Sequence, residues 1–336
     1  MENIRVMLEK REHEMLSEYA TYSDCSKGRL REEPECDIRP VFQRDRDRII
    51  HSKAFRRLKD KTQVFLTPNG DHYRTRLTHT LEVSQIARSI AKALRLNEDL
   101  SEAIALGHDL GHTPFGHAGE RALARVCEGG FEHNEQSVRV VSLLEKDGEG
   151  LNLTVEVLDG IRNHQTEGNP CTLEGKIVRI ADKIAYYNHD IDDAIRGQII
   201  RGEDIPKELV CYLGNSLKAR LNTMVHDVVM QSYDKDDIIM SAKMQQAMKD
   251  LREFMFTHVY TNPTAKGEEY KAEAMVESLF AFYKEHPTQL PAEYQRLLQN
   301  GESLDRVVAD YVAGMTDKFA VTRFMDLSIP KAWGVY

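Results

Sequence analysis

The sequence predicts an all-α fold, and three observations carry that expectation. From about residue 81 onward apolar residues recur at roughly helical spacings, the signature of helices with one buried face. Few segments alternate apolar and polar residues, so a parallel-sheet enzyme is not expected. Pro263 and Pro287 fall between periodic segments and mark helix boundaries. The 336 residues are 41% hydrophobic and 29% charged, which suffices for a sizeable core in one large domain or two small ones.

Taken in order, residues 1–20 read as a charged helix and residues 21–38 as an irregular arm of Ser, Gly, Glu and Pro. Residues 62–75 read as a small β-hairpin, with Gln63-Val64-Phe65-Leu66 and His72-Tyr73-Arg74 around Pro68-Asn69-Gly70-Asp71. Leu81, Ile86, Ile90 and Leu94 then form a helical core face, and Leu100, Ile104 and Leu106 lead into His108-Asp109. A long apolar stripe follows at Leu173, Ile177, Ile180, Ile184, Tyr187, Ile191 and Ile195. Beyond about residue 205 the pattern stays helical but carries little recognisable chemistry. The expected organisation is an N-terminal helical and basic arm (1–60), a core that carries His108-Asp109 (61–200) and a C-terminal helical region packed on it (201–336), within one globular unit.

Composition narrows the function classes. A net charge of −9 argues against a general DNA-coating protein but allows a local basic patch. One such patch is residues 39–61, with six arginines and three lysines against three aspartates. It fits a solvated helix face, a site for the phosphates of an effector nucleotide or single-stranded DNA, or a subunit interface; the interleaved aspartates weaken the nucleic-acid reading. The five cysteines are odd in number and form no C-x-x-C pair, which suits reduced thiols in a cytoplasmic protein and not a cysteine-based zinc site. No run of about 18 apolar residues predicts a membrane span, and the charged residues from Glu2 onward do not fit a signal peptide.

The chemistry concentrates in Gly107-His108-Asp109-Leu110-Gly111-His112-Thr113-Pro114-Phe115-Gly116-His117. Adjacent imidazole and carboxylate donors suit a divalent metal better than a core, so the segment reads as the centre of a metal-dependent hydrolytic site. Such a site needs three or four protein ligands and an open position. His108 and Asp109 supply two, and His79 is a good third. A fourth is Asp182, on a polar helix face with Tyr186, His189, Asp190 and Asp193, opposite the isoleucines. Alone, His79 would more often be a surface or satisfied core histidine, and that polar face a solvated one. The order His79, His108-Asp109, Asp182 changes the balance. Gly111 and Gly116 serve backbone turns; His189 reads as structural or solvent-facing, and His164 as open between an outer-shell role and none.

That order resembles the HD-domain metalloenzyme superfamily, with its H…HD…D pattern. The resemblance narrows to the deoxyguanosine triphosphate triphosphohydrolase family. It rests on Gln43-Arg44-Asp45-Arg46-Asp47-Arg48-Ile49, Phe55-Arg56-Arg57-Leu58, Lys61-Thr62-Gln63-Val64 and Arg76-Leu77-Thr78-His79-Thr80-Leu81-Glu82-Val83. It continues through His108 to Glu120, Phe131-Glu132-His133-Asn134-Glu135-Gln136-Ser137 and Tyr311-Val312-Ala313-Gly314-Met315-Thr316-Asp317. H…HD…D alone is weak; the string from His108 to Glu120 is strong. The matches span roughly residues 25–320.

The resemblance implies an HD-domain helical fold and metal-dependent hydrolysis of deoxynucleoside triphosphates: water attacks the α-phosphorus and leaves a deoxynucleoside and an intact triphosphate. By position, it makes His79, His108, Asp109 and Asp182 the metal ligands, and His117 and Glu120 the catalytic pair. His112 and His133 become phosphate-facing, Lys183 a triphosphate contact, Arg76 a phosphate contact, Tyr186 and Asp190 sugar contacts, and Gln63 a contact near the 3′-hydroxyl. It also implies oligomers, often hexamers, and in some members a second nucleotide site. The metal is left open among Mn, Mg, Fe, Co, Ni and Zn. Physical sense supports these roles. Phosphoryl transfer is mostly positioning and charge stabilisation, and His117 and Glu120, three apart, share a face if a helix resumes after Gly116. The alternatives are another HD-type monophosphatase or phosphodiesterase, and a non-catalytic protein that senses nucleotides or binds single-stranded DNA.

Overall fold

The computed structural model describes residues 3–63, 73–262 and 267–330, and among these it contains helices and no strand. The first half runs α1 (Ile4–Met15), α2 (Val41–Ile50), α3 (Lys53–Arg57), α4 (Arg76–Ala93), α5 (Glu98–Gly107), α6 (His117–Val126), α7 (His133–Arg139) and α8 (Val155–Arg162). The second half runs α9 (Leu173–Arg196), α10 (Lys207–Leu213), α11 (Leu217–Ser232), α12 (Ala242–Met255), α13 (Glu269–Glu285), α14 (Ala292–Gln299), α15 (Leu304–Ala313) and α16 (Asp317–Ser328). The all-α expectation holds. No helix among the described residues is long and apolar enough to cross a membrane.

Local sequence sets where the site-bearing helices start. Thr75 caps α4 through the Thr78 amide while the Thr78 hydroxyl accepts from the Thr75 amide, a reciprocal capping box. Asn97 caps α5 and Thr172 caps α9 by the same side-chain-to-backbone bond. Pro287 follows directly on the end of α13, as expected of a residue that cannot continue a helix.

The hairpin expected over residues 62–75 is not borne out. Among the described residues, only an isolated antiparallel bridge between Thr62 and Thr75 joins its two ends, and residues 64–72 lie outside the description, as does Pro263. Within α4 the core face is Val83, Ile86, Ala87 and Ile90, while Leu81 is exposed. A spacing of five from Leu81 to Ile86 overshoots the 3.6-residue turn and rotates Leu81 off the stripe. Ile195, last in the α9 stripe, is exposed for the simpler reason that it sits in the helix's final turn.

Apolar side chains gather in two clusters. The larger joins α2, α4, α5, α8, α9, α11 and α12 around residues such as Ile49, Ile90, Leu100, Ile104, Ile161, Ile177, Ile184 and Val228. The smaller joins α6 to α13, α14, α15 and α16 through Ala118, Ala122, Leu123, Val276, Leu279, Tyr283, Val307, Val308 and Ala320. The basic stretch spends much of its charge internally. Arg39 pairs with Asp47, Arg46 with Asp99 and Glu102, and both Arg44 and Arg48 with Glu33.

Candidate active site

Three helices of the larger cluster bring the four expected metal ligands together. His79 lies in the first turn of α4, His108 caps α5 with Asp109 next to it, and Asp182 lies on α9. His79 Nε2 is 3.1 Å from Asp182 Oδ1; His108 Nε2 is 3.3 Å from Asp109 Oδ1 and 3.8 Å from Asp182 Oδ1. His79, His108 and Asp109 are buried. The His108 Nδ1 donates to the Ala105 carbonyl at 2.7 Å, which fixes the tautomer and leaves Nε2 with a bare lone pair. That Nε2 is buried with no hydrogen-bond partner. A lone pair facing two carboxylates has no protein donor to satisfy it, which is the arrangement a bound cation resolves. Neutral imidazoles with carboxylates fit a divalent ion.

Charge is already arranged around this group. Burial opposes ionisation of Asp182, but the His79 hydrogen bond and the His108 imidazole pull its carboxyl down to about 2. Burial likewise works against Asp109, yet His108, His112 and Arg76 hold it well below the usual carboxylate range. Arg76, itself buried, donates from Nη1 to Asp109 Oδ2 at 2.8 Å, so it braces a candidate ligand as well as lining the cavity.

A second group sits on α6. Gly116, with φ +57°, turns the chain so that the helix begins at His117. The His117 Nδ1 donates to Glu120 Oε2 at 3.1 Å, because a carboxylate only accepts; this leaves His117 Nε2 as the ring nitrogen available to the cavity. The other oxygen of Glu120 accepts from the His133 amide at 2.9 Å and from His133 Nδ1 at 2.8 Å. Burial opposes the Glu120 charge, and the bonds from His117 and His133 reverse this, holding the group ionised far below its ordinary value. His133 stacks on His112 with ring centroids 3.9 Å apart. His164 completes the chain. Its Nδ1 donates to the Ile161 carbonyl at 2.7 Å, so its Nε2 is the acceptor 3.2 Å from His133 Nε2.

Both groups open on one cavity of about 670 Å³. It is lined by ten of the residues singled out in the sequence: Gln63, Arg76, His79, Asp109, His112, His117, His133, Asp182, Lys183 and Tyr186. His108 and Glu120 stand behind this lining as partners of Asp109 and His117. Asp190 also stands behind it, and accepts from the Tyr260 hydroxyl at 2.5 Å. Tyr260 in turn stacks on Tyr186 at 5.6 Å. His189, far from solvent, lies 2.9 Å from Glu82.

The chain shares its sequence features with known families over the same segments. Residues 76–187 match the HD domain, and residues 238–326 match the phosphohydrolase-associated domain. It is 57% identical to a deoxyguanosinetriphosphate triphosphohydrolase-like protein of Caldanaerobacter subterraneus subsp. tengcongensis, over 98% of this chain and 97% of that one. The chain belongs to the deoxyguanosinetriphosphate triphosphohydrolase-like family. Members from Clostridium perfringens strain SM101 and Desulfatibacillum aliphaticivorans are 50% and 48% identical, over 98% and 97% of this chain and 98% of each relative. It is thus an HD-domain phosphohydrolase by family.

Within this HD phosphohydrolase, sequence reasoning missed one wall of the cavity: Arg252, Phe256 and Tyr260, with Tyr187, Arg121 and Glu269 nearby. The first three recur every four residues, a helical face legible in the sequence. They fall where α12 gives way to a π-helical turn over Phe256–Tyr260, a feature enriched at functional sites.

Proposed function

We propose that the cavity binds a deoxynucleoside triphosphate together with a divalent ion and hydrolyses it at the α-phosphorus, releasing a deoxynucleoside and intact triphosphate. The observation that carries the reading is the convergence on one cavity of a metal-ligating set, a histidine–glutamate pair and several cationic side chains beside an aromatic wall. His79, His108, Asp109 and Asp182 would hold the ion, which supplies Lewis-acid stabilisation of developing charge and acidifies water.

The protein's own residues supply the remainder. A triphosphate carries roughly four negative charges, and Lys183, Arg76 and Arg252 face the space where it would lie. His112, kept neutral by burial and by the charges of Arg76 and His133, presents an imidazole to the same space. Glu120 holds His117 by Nδ1, so the reacting proton is held or moved at Nε2. Tyr186 and Tyr260 would pack against the sugar, with Asp190 fixing Tyr260 and Gln63 near the 3′-hydroxyl. A tight aromatic floor disfavours a 2′-hydroxyl. Bound metal, oligomerisation and any effector nucleotide or single-stranded DNA at residues 39–61 belong to the same reading. Light scattering with and without deoxynucleotides checks the assembly, and a monomer under both conditions would rule it out.

The direct test is a product assay on purified protein with Mn or Mg. The four deoxynucleoside triphosphates are offered singly and mixed, alongside GTP, and products are resolved by chromatography. Deoxynucleoside and triphosphate are expected in equal amounts, with GTP left intact. Release of inorganic phosphate instead would point to another HD-type phosphohydrolase.

A further inference from the structure

The string Tyr311-Val312-Ala313-Gly314-Met315-Thr316-Asp317 has no part in the chemistry above, yet two of its residues are tied to the loop that carries His117. Asp317, buried in the first turn of α16, accepts from the Phe115 amide at 2.9 Å through Oδ1. Through Oδ2 it accepts from the Thr62 amide at 2.9 Å and from the Thr62 hydroxyl. Four residues before Asp317, the Ala313 carbonyl accepts from Lys61 Nζ at 2.8 Å, and the same buried nitrogen also donates to the His112 carbonyl. The loop His112–Gly116 is therefore tied at both ends to the C-terminal helices.

The loop needs such ties. Phe115 has φ +63° and Gly116 φ +57°, two successive left-handed residues, the first with a bulky side chain. Non-glycine residues hold this conformation only when the surroundings over-determine it. Thr113 braces it from within, its hydroxyl donating to the Gly116 carbonyl at 2.8 Å. From outside, the contact on the backbone of Phe115 is the Asp317 carboxylate, two residues before His117. The Thr62 end of the same carboxylate adjoins Gln63 in the cavity wall. A Cβ at Gly116 would stand 3.2 Å from Arg76 Nη2 and 3.5 Å from the carbonyls of Thr62 and Gln63, so loop, Arg76 and residues 62–63 meet at one point.

We infer that Asp317 is a positioning residue: by bridging the Phe115 amide to Thr62 it sets the left-handed turn that aims His117 into the cavity. The phosphohydrolase-associated segment is then a working part of the active site. The inference rests on the functional reading above only for its activity arm.

Two arms test it. The first needs no substrate: amide hydrogen exchange of Phe115 in Asp317→Asn and Asp317→Ala, with the α4 amides as internal reference. Loss of the carboxylate acceptor should speed Phe115 exchange by about tenfold or more and leave α4 unchanged. The second arm measures kcat, KM and metal content of the same variants in wild-type and His117→Ala backgrounds. In the wild-type background kcat should fall by about a hundredfold, with KM changed less than about threefold and metal retained. In the His117→Ala background the further loss should be less than about twofold, because the effect runs through a side chain already gone. Equal losses in both backgrounds, or an unchanged Phe115 amide in Asp317→Ala, would overturn the inference. Asp317→Asn keeps the side-chain volume but only one acceptor oxygen, so it must break one end of the Phe115–Thr62 bridge; if the alanine variant does not fold, faster exchange of the Phe115 or the Thr62 amide in Asp317→Asn supplies the first arm, and no change at either amide would overturn the inference. If wild-type protein turns over none of the nucleotides, the functional reading fails while the exchange arm still decides this one.

Discussion

The residues that would hold metal and the residues that would move a proton face one cavity but stand on different foundations. His79, His108, Asp109 and Asp182 project from α4, α5 and α9, which bury their apolar faces in the larger cluster. His117 and Glu120 project from α6, whose Ala118, Ala122 and Leu123 are buried in the smaller one, with α6 packed on α13. Their surroundings differ as well. His108 is fully buried and its Nε2 has no partner, whereas His117 is half exposed and bonded to Glu120. An inflexible, desolvated ligand set suits an ion that must be held in fixed geometry. A more accessible imidazole with an anchored Nδ1 suits a group that must meet substrate and exchange protons. Metal binding and turnover should therefore be separable by substitution.

The largest separation is expected at the ligands. His108→Ala or Asp109→Ala should lose bound metal and, with it, more than about a thousandfold of turnover; elemental analysis alongside the rate checks this, and full activity in both would end the metal-site argument. His117→Ala should keep wild-type metal while turnover falls by about 100- to 10,000-fold. Unchanged turnover would remove His117 from the chemistry. Next come the cores themselves. Leu279→Ala and Ile104→Ala each delete a buried side chain, at a cost of about 2–5 kcal/mol. In a urea titration, Leu279→Ala should lose turnover before metal, because α6 loosens first; Ile104→Ala should lose both together. Coincident loss in both variants would show that the two clusters act as one.

The smallest effect is a pH dependence at His164. Burial, then the neighbouring imidazoles of His108 and His133, push this ring down to about 4 from an ordinary 6.5. The unfolded chain then takes up a proton between pH 6.5 and 4 that the folded protein refuses. The stability from burying neutral His164 is full above pH 6.5 and is lost as pH falls toward 4. His164→Gln should therefore flatten that part of the stability curve, measured by urea unfolding at several pH values. An identical slope in variant and wild type would mean that the ring is not held neutral.

Much of the candidate metal site was legible in the sequence, because its signals are local. Adjacent imidazole and carboxylate at His108-Asp109, a histidine in the first turn of α4, and an aspartate on the polar face of α9 each follow from residue type and helical period. The all-α fold followed from the same spacing. What was not legible depended on contacts between distant segments. Asp317 reaches Phe115 across 202 residues and Thr62 across 255. Arg252, Phe256 and Tyr260 look like an ordinary amphipathic face until α12 is laid against α9. Leu81 failed in the opposite sense: an apolar residue near the right spacing that packing leaves in solvent. For the hairpin, turn-forming residues between β-prone ones describe only a preference, and among the described residues the Thr62–Thr75 bridge alone bears on it.

Cleavage of a triphosphate ester at its α-phosphorus, the reaction proposed for this cavity, fixes where the oxygen of the attacking water must go. Turnover in ¹⁸O-labelled water, with products read by mass spectrometry, tests it most directly. The label is expected in the released triphosphate, with the deoxynucleoside unlabelled. Label in orthophosphate or pyrophosphate, or in the nucleoside 5′-hydroxyl, would contradict the assignment.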